Sequence, residues 1–278
     1  MIGLLACLGM PASAGAYDLP DLVADPPERP MLEVDGGESR EERLLLRFDG
    51  HVHNGGAGPL EIRRTPGVVE QILRDGSTLE VDPLDPSRLL APDAMKFENT
   101  DGHNHWHLQR VAKYSLYDGT GTAPVAPVMK VGFCLVDSLR VTGSVDREYG
   151  STCARNQPNA SNVSMGVSSG WRDLYDRNLP FQWVDVSETQ PGTYRLRSEI
   201  DPDDLVEEAD EVNIPAQTPY TVPGFLAAAG DGNASGDTAS FSLAGNAFDT
   251  ALGTRRFRIA SAPEHGTLPE ATGTWFTG

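Results

Sequence analysis

Short runs in which apolar and polar residues alternate recur along the chain, and a period of two residues predicts strands. The clearest run is 193–200, Thr-Tyr-Arg-Leu-Arg-Ser-Glu-Ile, which follows a Pro-Gly turn at 191–192. Weaker or shorter runs of strand character lie at 44–48, 60–62, 69–74, 105–117, 128–136 and 181–186, and 105–117 is long enough for a pair of strands. The pattern predicts a mainly β fold.

Two spans between these runs carry no sustained pattern and are predicted to be loops. They are 83–92 and 138–178. An irregular span as long as the second is uncommon inside a compact domain and is usually functional. We therefore expect a β-sandwich-like core with long loops and few short helices.

The character of the sequence changes near residue 216. Residues 217–236 are rich in Gly, Ala, Pro and Ser, which is typical of a linker. Two strand-like pieces follow, and Pro263-Glu264-His265-Gly266-Thr267-Leu268 resembles a turn of bacterial cadherin-like and immunoglobulin-like repeats. We interpret His265 as a turn residue. We expect a first domain over 15–216, then a linker and the start of a truncated module over 217–278. Such a module indicates either attachment at a cell surface or a longer parent chain.

The first fourteen residues resemble a secretory signal peptide. An apolar run over 1–10 precedes Ala12-Ser13-Ala14, a cleavage pattern of small residues, although no positive charges open the segment. A lipoprotein processing site at Cys7 is an alternative. No later stretch is apolar enough to span a membrane. We therefore predict a secreted, extracellular protein.

Composition supports a loop-rich β protein that is acidic. The chain has 29 Gly and 21 Pro, 39% hydrophobic residues and a formal net charge of −18. Such a charge argues against nucleic acid and would attract cationic partners such as amines or basic peptides. Simple solubility explains the charge equally well. The chain has three lysines, Lys96, Lys113 and Lys130, so any role for a lysine falls on few candidates.

Three of the six histidines lie at a spacing of two, as His103, His105 and His107. On a strand this spacing places them on one face, and three neutral imidazoles suit copper or zinc. A straight strand would hold the outer two Cα atoms roughly 13 Å apart, which predicts a bend or bulge, with Gly102 as one place for it. A solvated run of histidines on a sheet edge is the alternative. His51 and His53 form a second His-x-His pair, interpreted as strand residues, with a second metal site as the other option.

With Cys7 removed, Cys134 and Cys153 are the cysteines of the exported chain. Two cysteines in such a chain favour one disulfide, with free buried thiols as the alternative.

Three marks, in order over roughly 44–213, resemble the lysyl oxidase family. The triplet matches the His-x-His-x-His of the family's copper site, and Lys130 precedes Phe-Cys-Leu-Val-Asp as the family's lysine precedes F-C-L-x-D. Residues 166–175, Gly-Val-Ser-Ser-Gly-Trp-Arg-Asp-Leu-Tyr, then align without a gap with G-L-S-P-G-C-Y-D-T-Y, and 182–185 with Q-W-I-D. Tyr175 falls on the family's quinone tyrosine.

The resemblance implies a copper-dependent amine oxidase. Copper would bind His103, His105 and His107, and lysyl tyrosylquinone would form from Lys130 and Tyr175. Primary amines or peptidyl lysine would be oxidised by molecular oxygen to aldehyde, with release of hydrogen peroxide and ammonia. The resemblance also implies Asp173 as the catalytic base and a disulfide between Cys134 and Cys153.

The chain departs from the family in places, and other functions remain open. The Trp and Cys that precede the family's histidines are absent, and Trp171 and Phe181 stand where cysteines are expected. A non-catalytic exported copper-binding β-domain would need the histidines alone. A zinc hydrolase-like site would need a carboxylate base near them, and Asp101 or Glu98 could serve.

Overall fold

The computed structural model describes residues 17–37, 40–74, 87–99, 103–126, 129–150 and 152–223, followed by short backbone pieces. At 36–37, 40–42 and 129–131, and beyond 223, it describes the backbone alone. Every regular element in these residues is a strand, which confirms the mainly β prediction, and none of them forms a helix able to cross a membrane.

Fifteen strands make up the part of the chain up to residue 223. They are β1 (Leu22–Val23), β2 (Glu28–Gly37), β3 (Arg40–Asn54), β4 (Leu60–Thr65), β5 (Val68–Ile72), β6 (Ser87–Leu89), β7 (Met95–Glu98), β8 (His105–Tyr117), β9 (Met129–Phe133), β10 (Leu139–Arg140), β11 (Val163–Val167), β12 (Trp171–Tyr175), β13 (Trp183–Asp185), β14 (Gly192–Ile200) and β15 (Ala216–Val222).

These strands form three antiparallel sheets. The long strand β3 organises the first sheet, because it bonds to β1, β2, β12 and β13, and β10 extends the sheet beyond β12. The second sheet runs β11-β4-β5-β6. The third runs β15-β14-β8-β7, with β9 also paired to β8. The two strands that matter most for the site, β8 and β12, thus belong to different sheets.

The first and third sheets pack against each other through one hydrophobic core. The rings of Phe48 from β3 and Tyr114 from β8 meet edge to face with centroids 4.8 Å apart. Leu46, Val52 and Leu116 are fully buried in the same cluster. Alternation along each strand places these side chains on the inner faces.

Gly50 in β3 permits a close approach inside this core. A Cβ atom at this position would overlap the Tyr114 hydroxyl and would lie 2.6 Å from Nε2 of Gln182. Gly50 is also the backbone partner of Tyr175 across the sheet. The missing side chain therefore leaves room for Tyr114 and Gln182 beside the strand that carries Tyr175.

Several elements differ from the sequence prediction. Residues 216–222 include the start of the predicted linker at 217. They form β15, and every residue of β15 pairs with β14. The predicted loop 138–178 contains β10, β11 and β12, and the loop 83–92 contains β6. The run 105–117 is one continuous strand and not a pair. Each missed strand is short or polar. The partners of β11 and β12 lie far away in sequence, whereas β6 and β15 pair with the strands that precede them.

Beyond residue 223 the structure describes three two-stranded ladders of backbone. They pair β16 (Phe225–Ala229) with β19 (Leu243–Ala247), β17 (Asn233–Ser235) with β18 (Thr238–Ser240), and β20 (Arg256–Arg258) with β21 (Trp275–Thr277). The turn that contains His265 and the predicted signal peptide lie outside the described residues. The immunoglobulin-like or cadherin-like module stays a prediction.

Candidate active site

The three histidines of the triplet converge on one point. Ring centroids are 5.4 Å apart for His103 and His105, 5.1 Å for His103 and His107, and 4.6 Å for His105 and His107. Imidazoles that share one ion at ~2.0–2.1 Å per nitrogen place their centroids roughly 5 Å apart. The ring spacing alone is compatible with a single metal ion. In the described ranges, however, no three His, Cys, Asp or Glu side chains stand in an arrangement that could hold a metal ion without some adjustment of the side chains.

A bend at Asn104 brings His103 toward the other two rings. Asn104 has φ +48°, a left-handed conformation that asparagine tolerates better than most residues. Its carbonyl accepts a hydrogen bond from the Asn156 N–H at 2.6 Å. The predicted bend therefore exists, one residue before β8. Gly102, the residue at which the sequence predicted the bend, lies outside the described residues.

A bulge that the sequence did not predict lies further along β8, beyond the triplet. The pairing of β8 with β9 shifts register between Leu108 and Ala112, and Arg110 within it has φ +64°. Before the bulge, β8 pairs regularly with β7, and Glu98 lies opposite His105.

Burial favours the neutral form of His105 and His107. Burial first, and then the neighbouring imidazoles, lower the pKa of His107 to about 3. Burial, His103 and Arg155 likewise lower the pKa of His105. Neutral imidazole is the form that binds a metal ion. Three imidazoles would therefore suit either copper or zinc, and the donor set does not distinguish between these two metals.

The histidines line one wall of a cavity of about 440 Å³. Three parts of the chain line the cavity. They are the triplet with Glu98 and Gln109, the end of β9 with the segments that follow β9 and the disulfide, and the stretch from β12 to β13. Its members are Glu98, His103, His105, His107, Gln109, Gly132, Phe133, Cys134, Val136, Ser138, Arg155, Asp173, Leu174, Tyr175, Leu179, Pro180, Phe181 and Gln182. The cavity thus brings residues from two sheets together.

Tyr175 and Asp173 face this cavity from β12 as a hydrogen-bonded pair. The Tyr175 hydroxyl donates to the Asp173 carboxylate and lies 3.2 Å from the Cys134 carbonyl. Its ring stacks on Phe133 with centroids 3.6 Å apart. Both side chains are buried, because positions 173 and 175 alternate to the inner face of the sheet.

Burial shifts the pKa values of both the Asp173 carboxyl and the Tyr175 phenol. Burial raises the pKa of the Asp173 carboxyl to about 7, against hydrogen bonds from Tyr175, Ser138 and backbone N–H groups that lower it. Burial and the adjacent Asp173 carboxylate raise the pKa of the Tyr175 phenol well above its usual value. A carboxyl group that titrates near neutral pH is suited to general base catalysis.

The predicted disulfide between Cys134 and Cys153 is present and joins the two halves of the site. The Cys134 carbonyl contacts the Tyr175 hydroxyl, and the Cys153 carbonyl accepts a hydrogen bond from the backbone N–H of Trp106 at 3.0 Å. Trp106 lies between two of the histidines, so the bridge connects the tyrosine side of the cavity to the histidine side.

Lys130 lies in β9, where its backbone pairs with Lys113 of β8. Its side chain lies outside the described part of the structure. Gly132, two residues later in the same strand, lines the cavity. The strand that carries the predicted lysine therefore leads directly into the site.

Other candidate residues fall in different places. His51 and His53 are strand residues of β3, as predicted, and Nδ1 of His53 lies 3.6 Å from Asp25. The guanidinium of Arg172 lies 3.4 Å from the same carboxylate. Glu98 borders the histidines, whereas Asp101 lies outside the described residues.

Sequence reasoning missed three residues that shape the cavity. The Ser138 hydroxyl donates to Asp173 at 2.7 Å, Phe133 stacks on Tyr175, and Gln182 is fully buried beside the cavity. Ser138 stands in a predicted loop and carries no local signal. Phe133 and Gln182 belong to motifs noted in the sequence, but their positions give no indication of contact with the site.

Three imidazoles and a buried tyrosine–aspartate pair face one cavity of an all-β domain, which defines a candidate metal site beside a phenol–carboxylate pair. Comparison with known proteins adds the family: residues 86–222 match the lysyl oxidase family. The chain therefore carries a lysyl oxidase domain over about half of its length.

Curated relatives support the assignment over a limited length. The chain is 32% identical over 112 residues to human lysyl oxidase homolog 1, covering 40% of this chain and 18% of that protein. It is 31% identical over 112 residues to chicken protein-lysine 6-oxidase, covering 40% and 24%. For Xenopus laevis lysyl oxidase homolog 2 it is 33% over 114 residues, covering 41% and 14%. The chain thus spans less than a quarter of the length of each of these relatives.

Removing the disulfide should affect both stability and metal binding. We expect Cys134→Ala/Cys153→Ala to lower the free energy of unfolding by about 3 kcal/mol, because the bridge closes a loop of 19 residues. The Cys153 segment that holds Trp106 should loosen, so copper affinity should fall several-fold. Urea denaturation and copper titration measure the two effects. Unchanged copper affinity in the folded variant would show that hydrogen bonds alone position the triplet.

Proposed function

We propose that the domain is a copper-dependent amine oxidase of the lysyl oxidase type. One observation carries the proposal: the histidine triplet and the Tyr175–Asp173 pair line the same cavity, although they come from strands in different sheets. A copper carrier would need the histidines and would have no use for a buried phenol–carboxylate pair beside them.

In this proposal His103, His105 and His107 hold copper through neutral imidazole nitrogens. Tyr175 and Lys130 are the precursors of lysyl tyrosylquinone. Bound copper and the quinone would supply the redox chemistry and the carbonyl electron sink that ordinary side chains lack. The structural support is the position of Tyr175 in the cavity wall and of Lys130 in the strand that leads to Gly132.

Asp173 is proposed as the base that removes the substrate's α proton. Its carboxylate is buried, lines the cavity, and is positioned by the Ser138 hydroxyl at 2.7 Å and the Val136 N–H at 2.9 Å. A pKa near 7 would let it accept a proton at neutral pH and release it afterwards.

The same proposal names the substrates, the products and an extracellular location. A primary amine or peptidyl lysine would react with molecular oxygen and water to give aldehyde, hydrogen peroxide and ammonia. The name protein-lysine 6-oxidase of one relative supports peptidyl lysine as a substrate. The apolar N-terminal segment and the disulfide support secretion.

The proposal predicts a visible absorption band. Protein incubated aerobically with copper should develop a broad quinone band that bleaches when a primary amine is added, with release of hydrogen peroxide. Binding of copper without such a band would indicate a copper-binding module instead. Amine-independent hydrolytic activity of colourless zinc-loaded protein would indicate a zinc hydrolase.

The raised pKa of Asp173 predicts a pH dependence of stability. In the native protein the carboxyl stays protonated up to about pH 7, whereas its usual pKa is 3.8. The native state therefore binds an extra proton between these values, and its stabilisation is lost as the pH rises through about 7. Relative to Asp173→Asn, the free energy of unfolding of the wild type should fall by a few kcal/mol between about pH 4 and 7, at ~1.4 kcal/mol per unit.

Urea denaturation of both proteins across this range, without metal, measures the difference. The Asn variant removes the titration of Asp173 and leaves other carboxyl groups in place, so it serves as the baseline. A difference that does not change with pH would contradict the raised pKa.

A further inference from the structure

A buried carboxylate lies between the two residues that donate hydrogen bonds to Asp173. Val136 and Ser138 line the cavity, and they donate to Asp173 through the Val136 N–H and the Ser138 hydroxyl. Asp137, between them in the chain, is 1% exposed, and its carboxylate contacts residues outside the cavity lining. An aspartate is rarely buried so completely unless hydrogen bonds or charges compensate it. Asp137 therefore fixes this segment from outside the cavity.

Four hydrogen-bond donors surround the Asp137 carboxylate and satisfy both of its oxygens. Oδ1 accepts the Ser168 N–H at 2.8 Å. Oδ2 accepts the Ser168 hydroxyl at 2.7 Å and the N–H groups of Glu148 and Tyr149, each at 2.9 Å. Hydrogen bonds to an ionised group are stronger than those between neutral groups. The carboxylate therefore fastens segment 136–138 to two distant parts of the chain.

The turn at Ser168 leads directly into β12, the strand that carries Asp173. The N–H of Trp171, the first residue of β12, donates to the Ser168 carbonyl at 3.0 Å. Asp137 therefore connects both sides of the hydrogen bonds at Asp173, because it holds the donors on segment 136–138 and also the turn that begins the acceptor's strand. A shift of either side would lengthen those hydrogen bonds and weaken them.

We infer that Asp137 is a positioning residue, which holds the Val136 N–H and the Ser138 hydroxyl against Asp173. The inference rests on the proposed role of Asp173 as the base in amine oxidation. Asp137 does not line the cavity and acts through the two residues beside it. Proton removal depends steeply on the geometry between the base and the C–H bond. Loss of the Asp137 carboxylate should therefore slow proton removal and leave amine binding nearly unchanged.

Asp137→Asn tests the inference with almost no change in side-chain volume. All four partners of the carboxylate are donors, whereas an amide has one acceptor oxygen and one NH2 donor. In either orientation the NH2 group faces at least one backbone N–H, so segment 136–138 should shift. Asp201→Asn is the matched control. The Asp201 carboxylate is also buried and accepts the N–H groups of Leu205 and Val206, but it does not line the cavity.

Amide hydrogen exchange of the metal-free protein measures the positioning without turnover. Asp137→Asn should speed the exchange of the 136–138 amides about tenfold relative to those of β14, because this segment opens locally. Asp201→Asn should instead speed the exchange of the 205–206 amides. Equal acceleration in β14 would show only a general loss of stability, and unchanged exchange at 136–138 would show that the segment keeps its place without the carboxylate. Either result would overturn the inference.

Kinetics of the copper-loaded protein give a second readout. With rates expressed per quinone titrated with phenylhydrazine, Asp137→Asn should lower kcat for butylamine about a hundredfold and change KM less than about twofold. The primary deuterium isotope effect on kcat, measured with butylamine deuterated at the carbon that bears nitrogen, should rise because proton removal becomes the slower step. A protein that is merely destabilised contains fewer active chains and keeps its KM and isotope effect. Unchanged kcat per quinone would contradict the role of Asp137.

Ser168→Ala supplies a milder variant if Asp137→Asn does not fold. It removes the hydroxyl bond to Oδ2 and leaves the three backbone N–H bonds to the carboxylate. The exchange of the 136–138 amides should then rise about threefold relative to β14, and kcat should fall in the same direction. Absence of both changes in this variant would overturn the inference.

The two readouts separate this inference from the proposed function. Faster exchange at 136–138 in Asp137→Asn, in a protein whose wild type oxidises no amine, would overturn the function and support the positioning of Asp173. Amine oxidation by the wild type, with exchange and kcat unchanged in Asp137→Asn, would support the function and overturn the role of Asp137.

Discussion

Tyr175→Phe should abolish amine oxidation while the protein still folds and binds copper. The change removes one buried hydroxyl, which in our proposal is the oxygen of the quinone precursor. Without it no quinone band should form, and oxidation should fall by roughly 10³-fold or more, as when other enzymes lose an essential group. The Phe ring keeps its stacking on Phe133, so the wall of the cavity should survive.

Two measurements define this result, the amine-dependent release of peroxide and the stoichiometry of bound copper. Tyr194→Phe is the matched control, because the Tyr194 hydroxyl donates to the Gln190 carbonyl at an exposed site on β14. Lys130→Ala should give the same loss as Tyr175→Phe, with Lys113→Ala as its control. Oxidation that survives either change at Tyr175 or Lys130 rules out the quinone assignment.

Loss of one histidine of the triplet should have the second largest effect. We expect His105→Ala to weaken copper binding at least about a hundredfold, because two imidazoles remain of a set of three that converges within 4.6–5.4 Å. His105 is half-buried, so its truncation should cost less stability than that of the buried His107. Oxidation should disappear with the metal.

Equilibrium dialysis against copper measures this affinity and the number of ions per chain. His53→Gln is the control, since His53 lies on β3 beside Asp25. We expect one ion per chain in the wild type and in His53→Gln. Unchanged affinity in His105→Ala would remove the triplet as the copper site, and two ions in the wild type with one in His53→Gln would reveal a second site.

The sequence by itself determined the strands with strong local patterns. The run 193–200 became β14, and the apolar runs near 44–48 and 60–62 became parts of β3 and β4. Alternation reports which face of a strand is buried, and this property depends on a few neighbouring residues. β6, β10 and β15 escaped notice because they are short or lack apolar alternation, so pairing with β5, β12 and β14 stabilises them more than their own composition does.

Some features of the site followed from the sequence, and others depended on the tertiary structure. Spacing alone placed His103, His105 and His107 on one face and required a bend between them, since these consequences follow from backbone geometry. The motifs also selected Asp173 and Tyr175, but not the distance between this pair and the histidines. Tertiary structure decided that β8 and β12 face one cavity, that Ser138 positions Asp173, and that residues 179–181 line the same cavity. These relations arise from packing between sheets, where residues far apart in sequence meet, and no local pattern in the chain encodes them.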